Sequence, residues 1–136
     1  MTIKAQCLCK SVTLELKDPP TRVGVCHCNM CRNWGGGPMM TIEAGSSVSI
    51  SGDPVKVFDS SDWAERGFCG SCGSHLFYRF KATGDTYLPV GLFAVDQVLF
   101  DHEIFIDEKP QWYDFANDTK KMTGAQVIAM FTGSDL

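Results

Sequence analysis

Cys69-Gly70-Ser71-Cys72 is the last of three clusters that hold all seven cysteines of this 136-residue chain. The first cluster is Cys7-Leu8-Cys9, in which an extended backbone points both sulfurs to the same side. A Cys-x-x-Cys pair followed by glycine brings its two sulfurs to one ion through a tight turn. Two separated doublets of this kind commonly complete one four-thiolate site. We therefore predict a closed structural zinc site made by Cys7, Cys9, Cys69 and Cys72.

The remaining cysteines lie within six residues of one another, in the segment Cys26-His27-Cys28-Asn29-Met30-Cys31. Backbone alternation turns His27 away from the sulfurs on either side of it, which makes it a poor fourth ligand. Three thiolates leave one coordination position open, as in reactive rather than structural zinc sites. A zinc ion bound in this way is a weak Lewis acid, but it still lowers the pKa of an incoming thiol. We predict a second zinc at Cys26, Cys28 and Cys31, giving two Zn²⁺ per chain and favouring thiol chemistry over hydrolysis.

Other interpretations of the cysteines stay open at this point. His75, His102 or an aspartate would close the second site if it were structural, and the chain would then be a non-catalytic, zinc-stabilised binding module. An iron–sulfur cluster also needs thiolates, and the spacing does not exclude one. A redox pair at Cys69 and Cys72 lacks the βαβ context of such motifs. Disulfides are disfavoured by the odd number of cysteines.

Composition indicates one globular domain over residues 1–136, with 44% hydrophobic and 21% charged residues. The formal net charge of −4 and the absence of any run of basic residues argue against a nucleic-acid binder. Met1–Lys10 lacks the apolar core of a secretory signal, and no uncharged stretch is long enough to span a membrane. We expect a cytoplasmic protein, and the composition favours no particular oligomeric state.

Short strands dominate the predicted secondary structure, with turns between them and no long amphipathic helix. His75–Phe80 has aromatic side chains on both faces and is predicted to be a central strand, with Phe77, Tyr78 and Phe80 in the core. Pro89 places the strand at Thr86–Val90 on a sheet edge. Asn29–Trp34 is predicted to form one helical turn, and Gln126–Phe131 is either a helix or a strand. The other predicted strands are Val12–Leu16, Thr21–Val25, Met39–Glu43, Val48–Ile50, Val55–Phe58 and Glu103–Ile106.

These motifs, in this order, resemble the glutathione-dependent formaldehyde-activating enzyme family, which includes centromere protein V. The matching segments are Cys7-Leu8-Cys9, Cys26-His27-Cys28-Asn29-Met30-Cys31-Arg32 and Arg66-Gly67-Phe68-Cys69-Gly70-Ser71-Cys72-Gly73-Ser74. The resemblance implies a mainly β, Mss4-like fold of short antiparallel strands around zinc sites, with little helix. It also implies that Cys26, Cys28 and Cys31 hold a catalytic zinc, and that the other four cysteines hold a structural one.

The activity implied by the resemblance joins glutathione and formaldehyde into S-hydroxymethylglutathione and is classed as a carbon–sulfur lyase. The implied partners are therefore a small-molecule thiol, with glutathione as the possible co-substrate, and a small aldehyde. This chain departs from the family pattern at Lys10, where glycine is usual, and we expect the change to affect the turn rather than the ligands. The region after Leu92 is similar only loosely.

Several residues near the motifs have two interpretations. Arg32 is a candidate for binding the carboxylate of the thiol, but screening of the zinc–thiolate cluster or pairing with a surface acid is the simpler role. Gly35-Gly36-Gly37 either lets a ligand approach the backbone or forms an ordinary turn. Trp34 and Trp112 either wall a pocket or, as we predict, belong to the core. His75 is either a general acid or, as we predict, a structural histidine.

Overall fold

The computed structural model describes residues 2–132, which form mainly short β-strands, as predicted. No helix in this range is long and apolar enough to cross a membrane. Two short 3-10 helices occupy Val90–Leu92 and Ile106–Glu108. The α-helices are α1 (Asn29–Gly35) and α2 (Gly124–Thr132). The strands are β1 (Ile3–Gln6), β2 (Thr13–Leu16), β3 (Arg22–Cys26), β4 (Met39–Gly45), β5 (Val48–Ser51), β6 (Val55–Phe58), β7 (Ala64–Cys69), β8 (His75–Phe80), β9 (Thr86–Pro89), β10 (Leu99–Ile104) and β11 (Lys120–Met122).

The described residues divide into two compact units, the first comprising the chain up to Thr21 and Thr41–Val98. This unit contains a three-stranded antiparallel sheet in the order β1-β2-β5. It also contains an antiparallel run in the order β4-β9-β8-β7-β6. Alternation in β2 buries Leu14 and Leu16 while Thr13 and Glu15 stay partly exposed. The division into two units does not test the prediction that residues 1–136 form one domain, which stays a prediction.

Two predictions about sheet position have opposite outcomes. The central position of β8 is confirmed, since β8 pairs with β7 on one side and β9 on the other. Within it Phe77 is fully buried, whereas Tyr78 and Phe80 are only half-buried. The edge position predicted from Pro89 is wrong, because β9 lies between β4 and β8. Pro89 is the last residue of β9, so its missing N–H interrupts the ladder only where the strand ends.

The second unit comprises Arg22–Met40 and the residues from Leu99 onward. Its three strands run in the order β11-β10-β3, and both pairings are parallel. They are the exception to the expected antiparallel arrangement. Parallel neighbours need a long connection rather than a hairpin, and β3 and β10 are far apart in the sequence. The register places Val25 beside Glu103, and Cys26 beside Ile104. The ambiguous segment at Gln126–Phe131 lies within helix α2.

Candidate metal centres

The four predicted structural ligands come together in the first unit. The sulfurs of Cys7, Cys9, Cys69 and Cys72 all lie within 4.8 Å of one another. The Sγ of Cys9 is 3.6 Å from that of Cys7 and 3.7 Å from that of Cys69. Cys69 is the last residue of β7, and the turn after it closes with a 2.8 Å hydrogen bond from the Gly73 amide to the Cys69 carbonyl. The donor set is that of a closed tetrahedral zinc site.

Backbone and hydroxyl donors orient these sulfurs. The amide of Val12 donates to Cys7 Sγ at 3.3 Å, and the amide of Cys72 donates to Cys69 Sγ at 3.5 Å. A hydrogen bond with Ser74 lowers the pKa of the Cys72 thiol to about 5. The Ser74 hydroxyl also accepts from the Leu8 amide at 3.0 Å, which joins the two doublets. Amides therefore point at one sulfur of each doublet, and four clustered sulfurs are a donor set that fits a soft cation.

The turn after Cys9 carries the departure from the family pattern. Lys10 has a φ of 69°, in the left-handed region that favours glycine, and its amide donates to the Cys7 carbonyl at 2.9 Å. The left-handed conformation costs an L-residue about 1–2 kcal/mol relative to glycine. Glycine loses more backbone entropy on folding, so only part of this difference appears as added stability. We expect Lys10→Gly to raise the free energy of unfolding by about 0.5–1 kcal/mol, measured by denaturant titration. Lys10→Ala is the control, because it removes the same side chain but keeps the strain. Equal stabilisation by both variants would contradict this explanation.

The three predicted ligands of the second site come together in the second unit. The sulfurs of Cys26, Cys28 and Cys31 lie within 4.8 Å of one another. Cys26 ends β3, Cys28 is the N-cap of α1, and Cys31 is buried within α1. The Cys31 amide donates to Cys28 Sγ at 3.3 Å. The N-cap geometry therefore places two of the sulfurs on one turn of helix, beside the end of the strand that carries the third.

The protonation of these thiols shows why they fit a cation. Hydrogen bonds from the Cys26 and Cys31 thiols lower the pKa of Cys28 to about 2. Hydrogen bonds of the Cys26 thiol to Cys28 and Cys31, together with burial, raise the pKa of Cys26. Without a nearby positive charge, the first thiolate forms readily, but its negative charge opposes the loss of a proton from a second thiol. Three clustered sulfurs with this imbalance are the donor set of a soft metal ion such as zinc.

The candidates for a fourth ligand have other partners. His27 is fully buried, with Nε2 2.7 Å from Glu103 Oε1 and Nδ1 2.6 Å from the Tyr113 hydroxyl. His75 Nε2 lies 3.0 Å from the Phe77 carbonyl, and His102 Nδ1 lies 2.6 Å from Asp101 Oδ1. Burial lowers the pKa of His75 to about 4, as expected of a structural histidine. Among residues 2–132, no histidine, aspartate or glutamate joins the three sulfurs.

Arg32 lies on α1 and is fixed by oxygen atoms. Its Nε donates to the His27 carbonyl at 2.9 Å, and its Nη2 donates to the Glu108 carbonyl at 3.2 Å and to the Asn29 side-chain oxygen. The surface carboxylate considered as its partner is not among these contacts. The guanidinium is thus held in place by acceptors that carry no charge, so these contacts do not neutralise its positive charge.

A cavity of about 370 Å³ lies along α1. Trp112, predicted as a core residue, is 74% exposed and lines this cavity, whereas Trp34 is half-buried. Gly36 adopts a φ of 84° as the C-cap of α1, which explains one glycine of the Gly35-Gly36-Gly37 run. Sequence reasoning missed Asn29 and Asn33, although their spacing places them on the Arg32 face of the helix. The lining residues are Asn29, Arg32, Asn33, Gly36, Gly37 and Trp112.

The chain is recognisably similar to known proteins. The chain is 34% identical over 128 residues to an uncharacterized lyase of Schizosaccharomyces pombe, covering 92% of this chain and 93% of that protein. A crystal structure of a Rhodobacter sphaeroides protein superposes with a TM-score of 0.57 at 20% identity, covering 72% of this chain and 99% of that one, and shows a shared fold. Residues 2–112 match the family described as glutathione-dependent formaldehyde-activating enzyme. The chain therefore belongs to the glutathione-dependent formaldehyde-activating enzyme family.

Proposed function

We propose that this protein is a zinc-dependent lyase of the carbon–sulfur type, which adds a thiol to a small aldehyde at Cys26, Cys28 and Cys31. The observation that carries the proposal is a cluster of three sulfurs that no histidine, aspartate, glutamate or further cysteine among residues 2–132 joins. Three protein ligands and one open position are typical of reactive zinc. The family match and the name of the fission-yeast relative support the reaction class.

The reaction forms one carbon–sulfur bond. The thiol sulfur attacks the aldehyde carbon, the carbon–oxygen π electrons move to oxygen, and the proton lost by the thiol ends on that oxygen. A zinc ion held by the three cysteines would lower the pKa of a thiol bound to it. With glutathione and formaldehyde the product is S-hydroxymethylglutathione. No oxidant or reductant is needed, and the reverse direction is the cleavage after which lyases are named.

The cavity along α1 supplies groups suited to the rest of a thiol such as glutathione. Arg32 offers a preorganised positive charge, because its hydrogen bonds to the His27 and Glu108 carbonyls hold the guanidinium in place. Arginine pairs well with a carboxylate, which glutathione carries at both ends of its peptide. Asn29 and Asn33 add amide groups to the same wall. Since α1 also carries Cys31, and Cys28 caps it, the proposed anchor and two of the three proposed ligands belong to one helix.

The proposal is tested by measuring how fast the thiol and the aldehyde exchange with their adduct. Glutathione and ¹³C-formaldehyde are mixed with zinc-loaded protein, and the exchange rate is followed by NMR against a protein-free sample. We expect the rate to increase in proportion to protein carrying two zinc ions, and Cys28→Ser to remove the increase. If fully loaded protein leaves the rate unchanged, this function is excluded and the non-catalytic module is favoured.

Trp112→Ala is expected to raise KM for glutathione about fivefold while kcat stays the same. Loss of the indole removes a contact worth about 1 kcal/mol in ground state and transition state alike. Since Trp112 is 74% exposed, we expect no change in melting temperature. Trp63→Ala is the matched control, because Trp63 is 55% exposed and lies in the other unit. An unchanged KM, or an equal effect of the control, would show that Trp112 does not contact the thiol.

A further inference from the structure

His27 has a partner for each of its polar groups. Its amide donates to the Ile104 carbonyl at 3.1 Å, and its own carbonyl accepts from Arg32 Nε at 2.9 Å. One ring nitrogen lies 2.6 Å from the Tyr113 hydroxyl and the other 2.7 Å from Glu103 Oε1. The rings of Tyr113 and Phe115 pack against the imidazole, with centroids 5.5 Å and 6.0 Å away. All four polar groups of this buried residue are therefore engaged.

The partner Glu103 is itself held in place. It lies on β10, is 1% exposed, and its second oxygen accepts a hydrogen bond from the Thr119 hydroxyl. Lys121 Nζ stands 3.8 Å from the same oxygen. Burial alone would raise the pKa of the Glu103 carboxyl, but hydrogen bonds from Thr119 and His27 outweigh it and hold the pKa below its usual value. Glu103 is thus a carboxylate that only accepts, and it takes the hydrogen of His27 Nε2.

Because His27 lies between two candidate metal ligands in the sequence, the contacts that fix it also affect the metal centre. His27 is covalently joined to Cys26 on one side and Cys28 on the other. Fixing its ring and both of its peptide groups fixes the backbone from which both sulfurs project. The same contacts occupy both ring nitrogens, so the imidazole is kept from becoming a ligand itself. Groups that orient a metal-binding segment from outside the ligand set commonly change metal affinity by about 10–100-fold when they are removed.

We propose that Glu103 and Tyr113 are positioning residues of the three-cysteine site, which clamp His27 from both sides and thereby set the separation of Cys26 and Cys28. The inference rests on the proposed function, because it assumes that these cysteines bind a metal ion. Neither residue lines the cavity along α1, although the Tyr113 ring packs against that of Trp112, which does line it, with centroids 4.7 Å apart. Tyr113→Phe keeps this ring contact and removes only the hydroxyl that meets His27, so its effect is exerted through His27.

The test compares Tyr113→Phe, Glu103→Leu and Glu103→Gln with the wild-type protein. Each is loaded with zinc at the four-cysteine site and cobalt at the three-cysteine site, and cobalt is withdrawn with a chromophoric chelator. We expect Tyr113→Phe and Glu103→Leu to bind cobalt about tenfold more weakly and to shift its ligand-field bands. Glu103→Gln, whose amide can still accept from His27 and donate to Thr119, should stay within about threefold of wild type. Tyr87→Phe is the matched control in the other unit.

The four-cysteine site serves as an internal reference in the same molecule. A general loss of stability would weaken both sites, whereas loss of positioning weakens only one. Wild-type affinity and an unshifted spectrum in folded Tyr113→Phe would overturn the inference, whether or not Glu103→Leu folds. If the wild-type protein binds no second metal at all, the proposed function fails first. If the wild type binds two metals and Tyr113→Phe binds them equally well, only the clamp is wrong.

Discussion

Cys69→Ser is expected to lower the free energy of unfolding by more than about 5 kcal/mol and to leave little folded protein. The Cys69 side chain is fully buried, and its sulfur lies within 4.8 Å of the other three ligands. Structural zinc contributes roughly 10–16 kcal/mol of apparent binding energy in small zinc domains, while whole domains are stable by only about 5–15 kcal/mol. The loss of one thiolate is therefore comparable with the entire stability. Thermal and denaturant unfolding, with zinc counted in the soluble fraction, measures the effect.

Ser71→Ala is the matched control for this prediction. Ser71 lies in the same turn, between Cys69 and Cys72, and is exposed. We expect its substitution to change the free energy of unfolding by less than about 0.5 kcal/mol. Removal of zinc from the wild-type protein with a strong chelator should reproduce the Cys69→Ser result. A folded Cys69→Ser variant with a wild-type melting temperature would show that the four cysteines do not hold the first unit together.

Cys28→Ser is expected to remove one zinc ion and all catalysis while the fold survives. Serine is itself a favourable N-cap, so the hydroxyl can replace Cys28 Sγ as the acceptor for the Cys31 amide and keep α1 intact. It is a poor zinc ligand, however, because the soft thiolate is lost. We expect a loss of less than about 3 kcal/mol in the free energy of unfolding and an exchange rate equal to that without protein. Native mass spectrometry counts the metal, and calorimetry gives the melting temperature.

Cys28→Ala separates the two roles of this residue. It removes the cap as well as the ligand, so it should be about 1 kcal/mol less stable than Cys28→Ser but equally inactive. The interpretation of both sites as structural predicts a different result. In that case Cys28→Ser would destabilise the protein about as strongly as Cys69→Ser, and no thiol chemistry would be lost.

Much of the candidate site is predictable because cysteine spacing is local information. The separations within Cys7–Cys9, Cys69–Cys72 and Cys26–Cys31 determine which sulfurs share a turn, and the structure brings together the same two groups. Alternation also predicts β2 and β8, whose buried residues recur at every second position or carry aromatic rings. Cysteine spacing and strand alternation can each be read from a few consecutive residues.

The features that were not predicted depend on information that a short stretch of sequence does not contain. β7 was not predicted because Glu65, Arg66 and Gly67 interrupt its apolar pattern, yet Arg66 is only 1% exposed. β11 has three residues, too few for a periodic signal, and β1, which was not predicted either, fully buries only Ala5. The parallel pairing of β3 and β10 is equally hidden, since it joins segments that are far apart in the sequence.

The environment of His27 shows the same limit at the level of one side chain. Alternation predicts that it faces away from the sulfurs, but its partners lie 76 residues away at Glu103 and 86 residues away at Tyr113. No pattern near His27 indicates either residue. The exposure of Trp112 is also a tertiary property, because the large apolar indole by itself favours a core position. Spacing therefore predicts the ligands, while the residues that surround them require the fold.

The most direct measurement is a glutathione titration of protein with zinc at the four-cysteine site and cobalt at Cys26, Cys28 and Cys31. An accessible coordination position predicts that the ligand-field and sulfur-to-cobalt charge-transfer bands change saturably at millimolar thiol or below, and that S-methylglutathione leaves them unchanged. Bands that stay the same throughout the glutathione titration would mean that the three cysteines share their ion with a protein ligand, and would contradict the proposed chemistry.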